Sequence, residues 1–159
     1  MQIKVNGRPV EIFAGARVRD VVRKYSRTEW GRVRKGIKTV RDAHLAAGDV
    51  FCEWGSGMAI ATGLAELLGF RSHGIERDEA LAAASRQLLA EFGFQATVET
   101  GDYLVLESRA DVYFVYCWPG QMEQVKRRFE DIAPDEARLL ICHGAEDIRC
   151  MIRTPGRTR

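Results

Sequence analysis

The residues best suited to chemistry lie in four short segments. Glu53-Trp54-Gly55-Ser56-Gly57-Met58-Ala59 joins an acidic side chain to two glycines. The carboxylate can accept hydrogen bonds from a ligand ammonium, and the glycines let the backbone turn sharply and approach a ligand with no Cβ in the way. Glu76, within Gly74-Ile75-Glu76-Arg77, lies 19 residues after Gly57. That is close to the ~20-residue interval at which an acidic side chain meets ribose hydroxyls in nucleotide-binding βαβ units. In Thr100-Gly101-Asp102-Tyr103 the carboxylate suits an exocyclic amine of adenine and the ring suits the face of a base. Tyr116-Cys117-Trp118-Pro119-Gly120 offers rings that can shape a pocket for a second substrate. Each segment alone has a plainer use. Gly-x-Gly makes a tight strand-to-helix turn, Glu76 or Asp78 serves a helix N-terminus, Gly-Asp makes an ordinary turn, and strand-end aromatics fill cores. Ile60 stands where a dinucleotide fingerprint needs its third glycine, which argues against NAD or FAD.

Elements that could hold these segments follow in regular order. From Gly48 onward, short apolar runs alternate with helical periods: DVFCEW, a helix near 58–68, SHGIE, a helix near 79–92, ATVET, DVYFVYCW, a helix near 121–132, and LLICH. Ile60, Ala61, Leu64, Leu67 and Leu68 make one helical stripe, and Leu81, Ala84, Leu88 and Phe92 another, each followed by a glycine that can close its helix. Such alternation predicts an α/β fold, a Rossmann-like doubly wound and mostly parallel sheet with helices on both faces. In that architecture ligands bind beyond the carboxyl ends of the strands, where all four segments fall. After LLICH the sequence leaves room for one more strand. A sheet edge left open there would invite a homodimer.

The first 47 residues read as a separate piece. IKVNGRPVEIF alternates apolar and polar residues about Asn6-Gly7, predicting a hairpin over 2–13 with a two-residue turn. Val18, Val21, Val22 and Tyr25 make an amphipathic stripe, and Ser26 with Glu29 matches a capping box that starts a second helix, which Gly36 would end. Residues 1–50 hold 12 Lys and Arg against 5 Asp and Glu, whereas residues 51–159 hold 12 against 17. This asymmetry points the first piece toward an anionic partner, nucleic acid included, or toward docking on the second; a solvated helix face explains the same charges. The expected division is 1–47 and 48–159.

Composition excludes several classes. With 159 residues, 46% hydrophobic and 29% charged, the chain can bury one real core and is neither disordered nor collagen-like. No run approaches the ~18 apolar residues of a membrane span and MQIKVNGRPV lacks a signal-peptide block, so a cytoplasmic protein is expected. Cys52, Cys117, Cys142 and Cys150 show no CxxC pairing, so no metal site is expected and reduced, structural thiols are.

Taken together in their order, EWGSGMA, GIER, TGDYL and ADVYFVYCWPG resemble the motifs of class I S-adenosylmethionine-dependent methyltransferases, over residues 48–154. The resemblance implies S-adenosyl-L-methionine as cofactor. By it, Glu53, Gly55, Ser56 and Gly57 would lie at the methionine part, Glu76 at the ribose and Asp102 at the adenine, with Trp54, Arg77 and Tyr103 also among the cofactor-binding residues. No catalytic residue is implied, and the methyl acceptor, small or macromolecular, stays open. YCWP differs from the Asn/Asp-Pro-Pro-aromatic tetrad of enzymes that methylate amino groups of nucleic acids. His143, after the last apolar run, is a candidate base or a strand-end residue. The alternatives are an inactive cofactor-binding regulatory module and a basic adaptor for RNA. MQIKVNGRPVEIFAGARVRDVV resembles the opening of ubiquitin-like β-grasp sulfur carriers, without their Gly-Gly tail.

Overall fold

The computed structural model describes residues 2–5, 8–11, 29–118, 120–143 and 147–153. Strands β1 (Gln2–Val5) and β2 (Arg8–Glu11) pair antiparallel with Val5 opposite Arg8, the register that a two-residue connection sets. The helix expected over 18–25 and its neighbouring cap at Ser26 lie outside the described residues.

The remaining elements are α1 (Glu29–Asp42), β3 (Val50–Trp54), α2 (Ile60–Leu67), β4 (Arg71–Glu76), α3 (Glu79–Glu91), β5 (Thr97–Thr100), β6 (Val112–Tyr116), α4 (Met122–Ile132), β7 (Arg138–His143) and β8 (Asp147–Ile152). Six strands form one sheet in the order β5-β4-β3-β6-β7-β8, parallel except for β8, which runs antiparallel to β7. The chain therefore winds outward from β3 to β5, then restarts on the other side of β3 at β6. A crevice between the carboxyl ends of β3 and β6 is the geometric result.

Both faces of the sheet are covered, which explains why β6 and β7 read as nearly unbroken apolar runs. On one face α1 and α2 bury Val33, Ile37, Val40, Ala61 and Ala65 against Phe51, Val112, Phe114, Leu140 and Cys142. On the other, Val125 and Phe129 of α4 pack with Trp54, Tyr113, Val115, Leu139 and Ile141. The boundary expected at residue 47 thus falls after a helix whose apolar stripe belongs to the core of the sheet.

Gly36 does not end α1, contrary to expectation. The helix runs on to Asp42 and stops in a Schellman pattern, with His44 N–H donating to Arg41 O, Leu45 N–H to Val40 O, and His44 at φ 49°. A Cβ on Gly36 would sit 3.4 Å from Ile148 Cγ2, an ordinary contact distance, so the position lies where the helix packs on β8. None of the four cysteines is in a disulfide; Cys52, Cys117 and Cys142 are buried and Cys150 is exposed. Burial pushes the Cys52 thiol up to about 12, a reduced and unreactive state. Among the described residues no helix is long and apolar enough to cross a membrane, and no group of three His, Cys, Asp or Glu could hold a metal.

Candidate functional site

Parallel strands of matched register bring their carboxyl ends to one edge: Trp54 of β3 lies opposite Ile75 of β4, and Glu76 of β4 opposite Thr100 of β5. The loops leaving these strands are tied to one another by backbone groups of β4. Ile75 O accepts from both Gly55 N–H and Ser56 N–H at 2.9 Å, and Glu76 O accepts from Gly101 N–H at 2.9 Å.

The Glu76 side chain completes this lacing. Its Oε2 accepts from Gly57 N–H at 2.7 Å and its Oε1 from Asp78 N–H at 2.9 Å, leaving further acceptor capacity on both oxygens. Asp78 in turn caps α3 by accepting from Leu81 N–H, so the two acidic residues divide the roles that the sequence left open between them.

The glycine loop adopts the conformations its composition suggests. Gly55 and Gly57 have φ of 70° and 52°, and a Cβ on either would meet nothing within 4 Å. Ala59 follows at φ 55°, a left-handed conformation that strains a residue bearing a Cβ.

Glu53 lies beneath this loop, 3% exposed. Its Oε2 accepts from Thr62 N–H at 2.7 Å and from Thr62 Oγ1 at 2.6 Å. Helix α2 has neither a local side-chain cap nor an acidic residue in its first turn, so a strand residue supplies the acceptor that an N-terminal amide needs. Burial pushes the Glu53 carboxyl up to about 7, opposed by hydrogen bonds from Thr62 and Ala61 and reinforced by the charge of Glu76.

Trp54 turns the other way. Its ring is 1% exposed, donates to Ser108 Oγ at 3.2 Å, stacks on Tyr103 at 5.3 Å and tilts against Tyr113 at 4.9 Å. The indole is core, and it anchors half-buried Tyr103 at the edge of the site. Asp102 Oδ1 accepts from Leu104 N–H, while its Oδ2 accepts no hydrogen bond among the described residues. Arg77 is exposed beside these loops. Across the crevice, Cys117 N–H donates to Cys142 O at 2.9 Å, and Tyr116 meets 65%-exposed Trp118 edge-on at 5.6 Å. His143 Nδ1 is buried without a hydrogen-bond partner among the described residues.

Two supporting residues escape a sequence reading. Thr62 holds Glu53, and Arg128 of α4 donates to Tyr103 O at 3.1 Å and Leu106 O at 2.6 Å, clamping the loop after β5. Nothing in the spacing of either marks these roles. Gly74 did carry a signal, since a glycine inside a strand indicates close approach. A Cβ there would lie 2.6 Å from Ser56 Cβ, 2.7 Å from Ser56 Oγ and 3.0 Å from Thr62 Oγ1. Gly74→Ala is therefore expected to destabilise the protein by about 1–3 kcal/mol and to displace Ser56 and the loop it belongs to. Urea unfolding of the variant, compared with wild type, measures this; an unchanged midpoint would show that the contact relaxes freely.

No family description matches the chain, and no curated protein matches its sequence. Solved structures do. An RNA methyltransferase from Salinibacter ruber, in complex with S-adenosyl-L-homocysteine, is similar at a TM-score of 0.60 and 22% identity over 69% of this chain and 73% of that one. The CcbJ methyltransferase from Streptomyces caelestis is similar at 0.55 and 23%, over 69% of this chain and 47% of its own. A variant of MtNAS in complex with S-adenosylmethionine is similar at 0.58 and 23%, over 70% and 46%. The chain spans less than half the length of the last two. What these likenesses establish is the architecture: this is the Rossmann-like fold of methyltransferases.

Proposed function

We propose that the protein binds S-adenosylmethionine and transfers its methyl group to an acceptor not yet identified. The observation that carries this reading is the Glu76 carboxylate, fixed between the Gly57 and Asp78 amides at the ends of two adjacent parallel strands. The residues fit the cofactor. Open space over Gly55 and Gly57 admits a ligand against bare backbone, Glu76 keeps acceptor capacity for two ribose hydroxyls, and Asp102 Oδ2 is available to an adenine amine. Glu53 serves by shaping the loop and the start of α2 from below.

When bound, the cofactor supplies an electrophilic methyl group on a sulfonium. An acceptor that is already nucleophilic needs little acid or base help, and alignment supplies most of the rate. The crevice between β3 and β6, walled by Tyr116 and Trp118 on its far side, is the place for that alignment. This accounts for a site with no obvious catalytic residue.

Calorimetric titration with S-adenosylmethionine and with S-adenosylhomocysteine tests the reading. Saturable binding of both at one site is expected, and no binding of either at millimolar concentration would overturn it. Radiolabelled methyl incorporation from a cell extract then separates an enzyme from a cofactor-binding module without turnover.

A further inference from the structure

The outer face of α1 is basic and exposed among the described residues. Its exposed residues between positions 31 and 41 are Arg32, Arg34, Lys35, Lys38 and Thr39, with neither a carboxylate nor an apolar side chain among them. Lys38 pairs with Asp42, whereas Arg34 and Lys35 have no ion-pair partner among the described residues.

The direction of the helix follows from two contacts. The Arg41 guanidinium lies 4.9 Å over the ring of Phe70, just before β4 begins, so the end of α1 sits at the amino ends of the parallel strands. Gly36 approaches Ile148, which pairs with Cys142 near the carboxyl end of β7. The first half of α1, with Arg32, Arg34 and Lys35, therefore rises toward the edge that carries the candidate site.

An aromatic pair lies on the side of the sheet that α1 covers. Tyr116 packs onto the cluster that contains Val33 and Ile37, and exposed Trp118 leans edge-on against Tyr116. Cationic side chains beside an exposed aromatic ring are the combination that binds single-stranded nucleic acid, the charges following phosphates and the ring stacking on a base. A helix lying in a membrane surface turns its apolar stripe to the lipid, whereas that of α1 is turned into the core of the sheet.

We propose that the α1 face, with Trp118 at its upper end, binds single-stranded nucleic acid and leads it to the crevice between β3 and β6. Binding stands on these residues alone; that the strand is the methyl acceptor rests on the function proposed above.

Fluorescence anisotropy of labelled 12-nucleotide oligouridylate and oligodeoxythymidylate, titrated with the full chain at several KCl concentrations, tests it. Affinity falling with salt is expected, and Arg34→Ala with Lys35→Ala should flatten the log–log slope by about 1.4, at ~0.7 for each lost phosphate contact on a single strand. Trp118→Ala should weaken binding roughly 5- to 150-fold at unchanged slope, with Trp118→Phe recovering most of it. A preference for the ribose or the deoxyribose oligomer identifies which nucleic acid is the partner. Absence of salt-dependent binding, or binding indifferent to all these variants, overturns the proposal, as does binding to phosphatidylserine vesicles with no affinity for either oligomer. The Arg34→Ala, Lys35→Ala protein should keep wild-type affinity for S-adenosylmethionine. If the wild type binds the oligomers but not the cofactor, the methyl-transfer reading falls and this one stands.

Discussion

Glu76→Ala should cost more than 100-fold in affinity for S-adenosylmethionine while leaving the protein folded. The carboxylate accepts one backbone amide on each oxygen, from Gly57 and from Asp78, and both sites are open enough for water to replace it. Loss of folding stability should then stay at about 1–3 kcal/mol, below the worth of two hydrogen bonds to a charged group because water takes over the amides. Binding loses more. Two ribose hydroxyls donating to a charged acceptor are worth roughly 1.5–3 kcal/mol each. Even the low end, about 3 kcal/mol in all, corresponds to more than a hundredfold at 1.4 kcal/mol per decade. Release of Gly57 from its anchor adds disorder to the loop on which the methionine part would rest. Glu76→Gln keeps one carbonyl acceptor and should fall between. Calorimetry of the three proteins, with thermal melting to confirm folding, provides the test; an alanine variant within threefold of wild type would remove Glu76 from the cofactor and with it the main support for the proposed activity.

The alternation of apolar runs and helical stripes located the parallel strands and the helices from α2 onward to within a residue or two, because strands buried on both faces and amphipathic helices leave strong periodic patterns. That Glu76 meets the glycine loop was legible for a related reason. Their spacing is set by the length of one strand–helix–strand unit, which the chain must repeat wherever it builds this corner. What was not legible depended on tertiary contact. Gly36 has the composition of a helix stop, and only the nearness of Ile148 shows that it is a packing position. Trp54 sits among the candidate site residues in sequence, but alternation along β3 sends its ring to the side of Tyr113 and Phe129, where the core claims it. The division at residue 47 followed charge, and charge belongs to the outer face of α1 while the inner face is apolar. A helix can therefore differ from its neighbours in composition and still complete their core.

Glu53 and Glu76 end adjacent strands and look equivalent in sequence, but burial separates them, and the separation yields the second large effect. The Glu53 carboxyl is almost wholly enclosed and is raised from 4.5 to about 7, chiefly by burial. A raised value in the folded state means that the fold holds this proton more tightly than the unfolded chain does. The resulting stability is fully present below pH ~4.5 and is lost as pH rises through about 7, a change of about 3 kcal/mol at 1.36 kcal/mol per unit. His73 works against it: burial lowers its value, so its contribution is present above pH 6.5 and fades as pH falls. The wild-type curve alone mixes the two, and Glu53→Gln separates them, because the amide keeps the shape and one carbonyl acceptor for Thr62 but cannot ionise. Urea unfolding at intervals from pH 5 to pH 8 should show wild type losing about 2–3 kcal/mol relative to the Gln variant across that range, most of it between pH 5 and 7. Parallel curves would mean that Glu53 ionises as freely as in water, which a carboxylate with 3% of its residue surface exposed could do only if the start of α2 opened to solvent. Above pH 7 the negative charge then rests at the N-terminus of α2, directly under the loop proposed to receive a cationic cofactor. The stability lost on ionisation would be the cost of holding a charge where that ligand favours one.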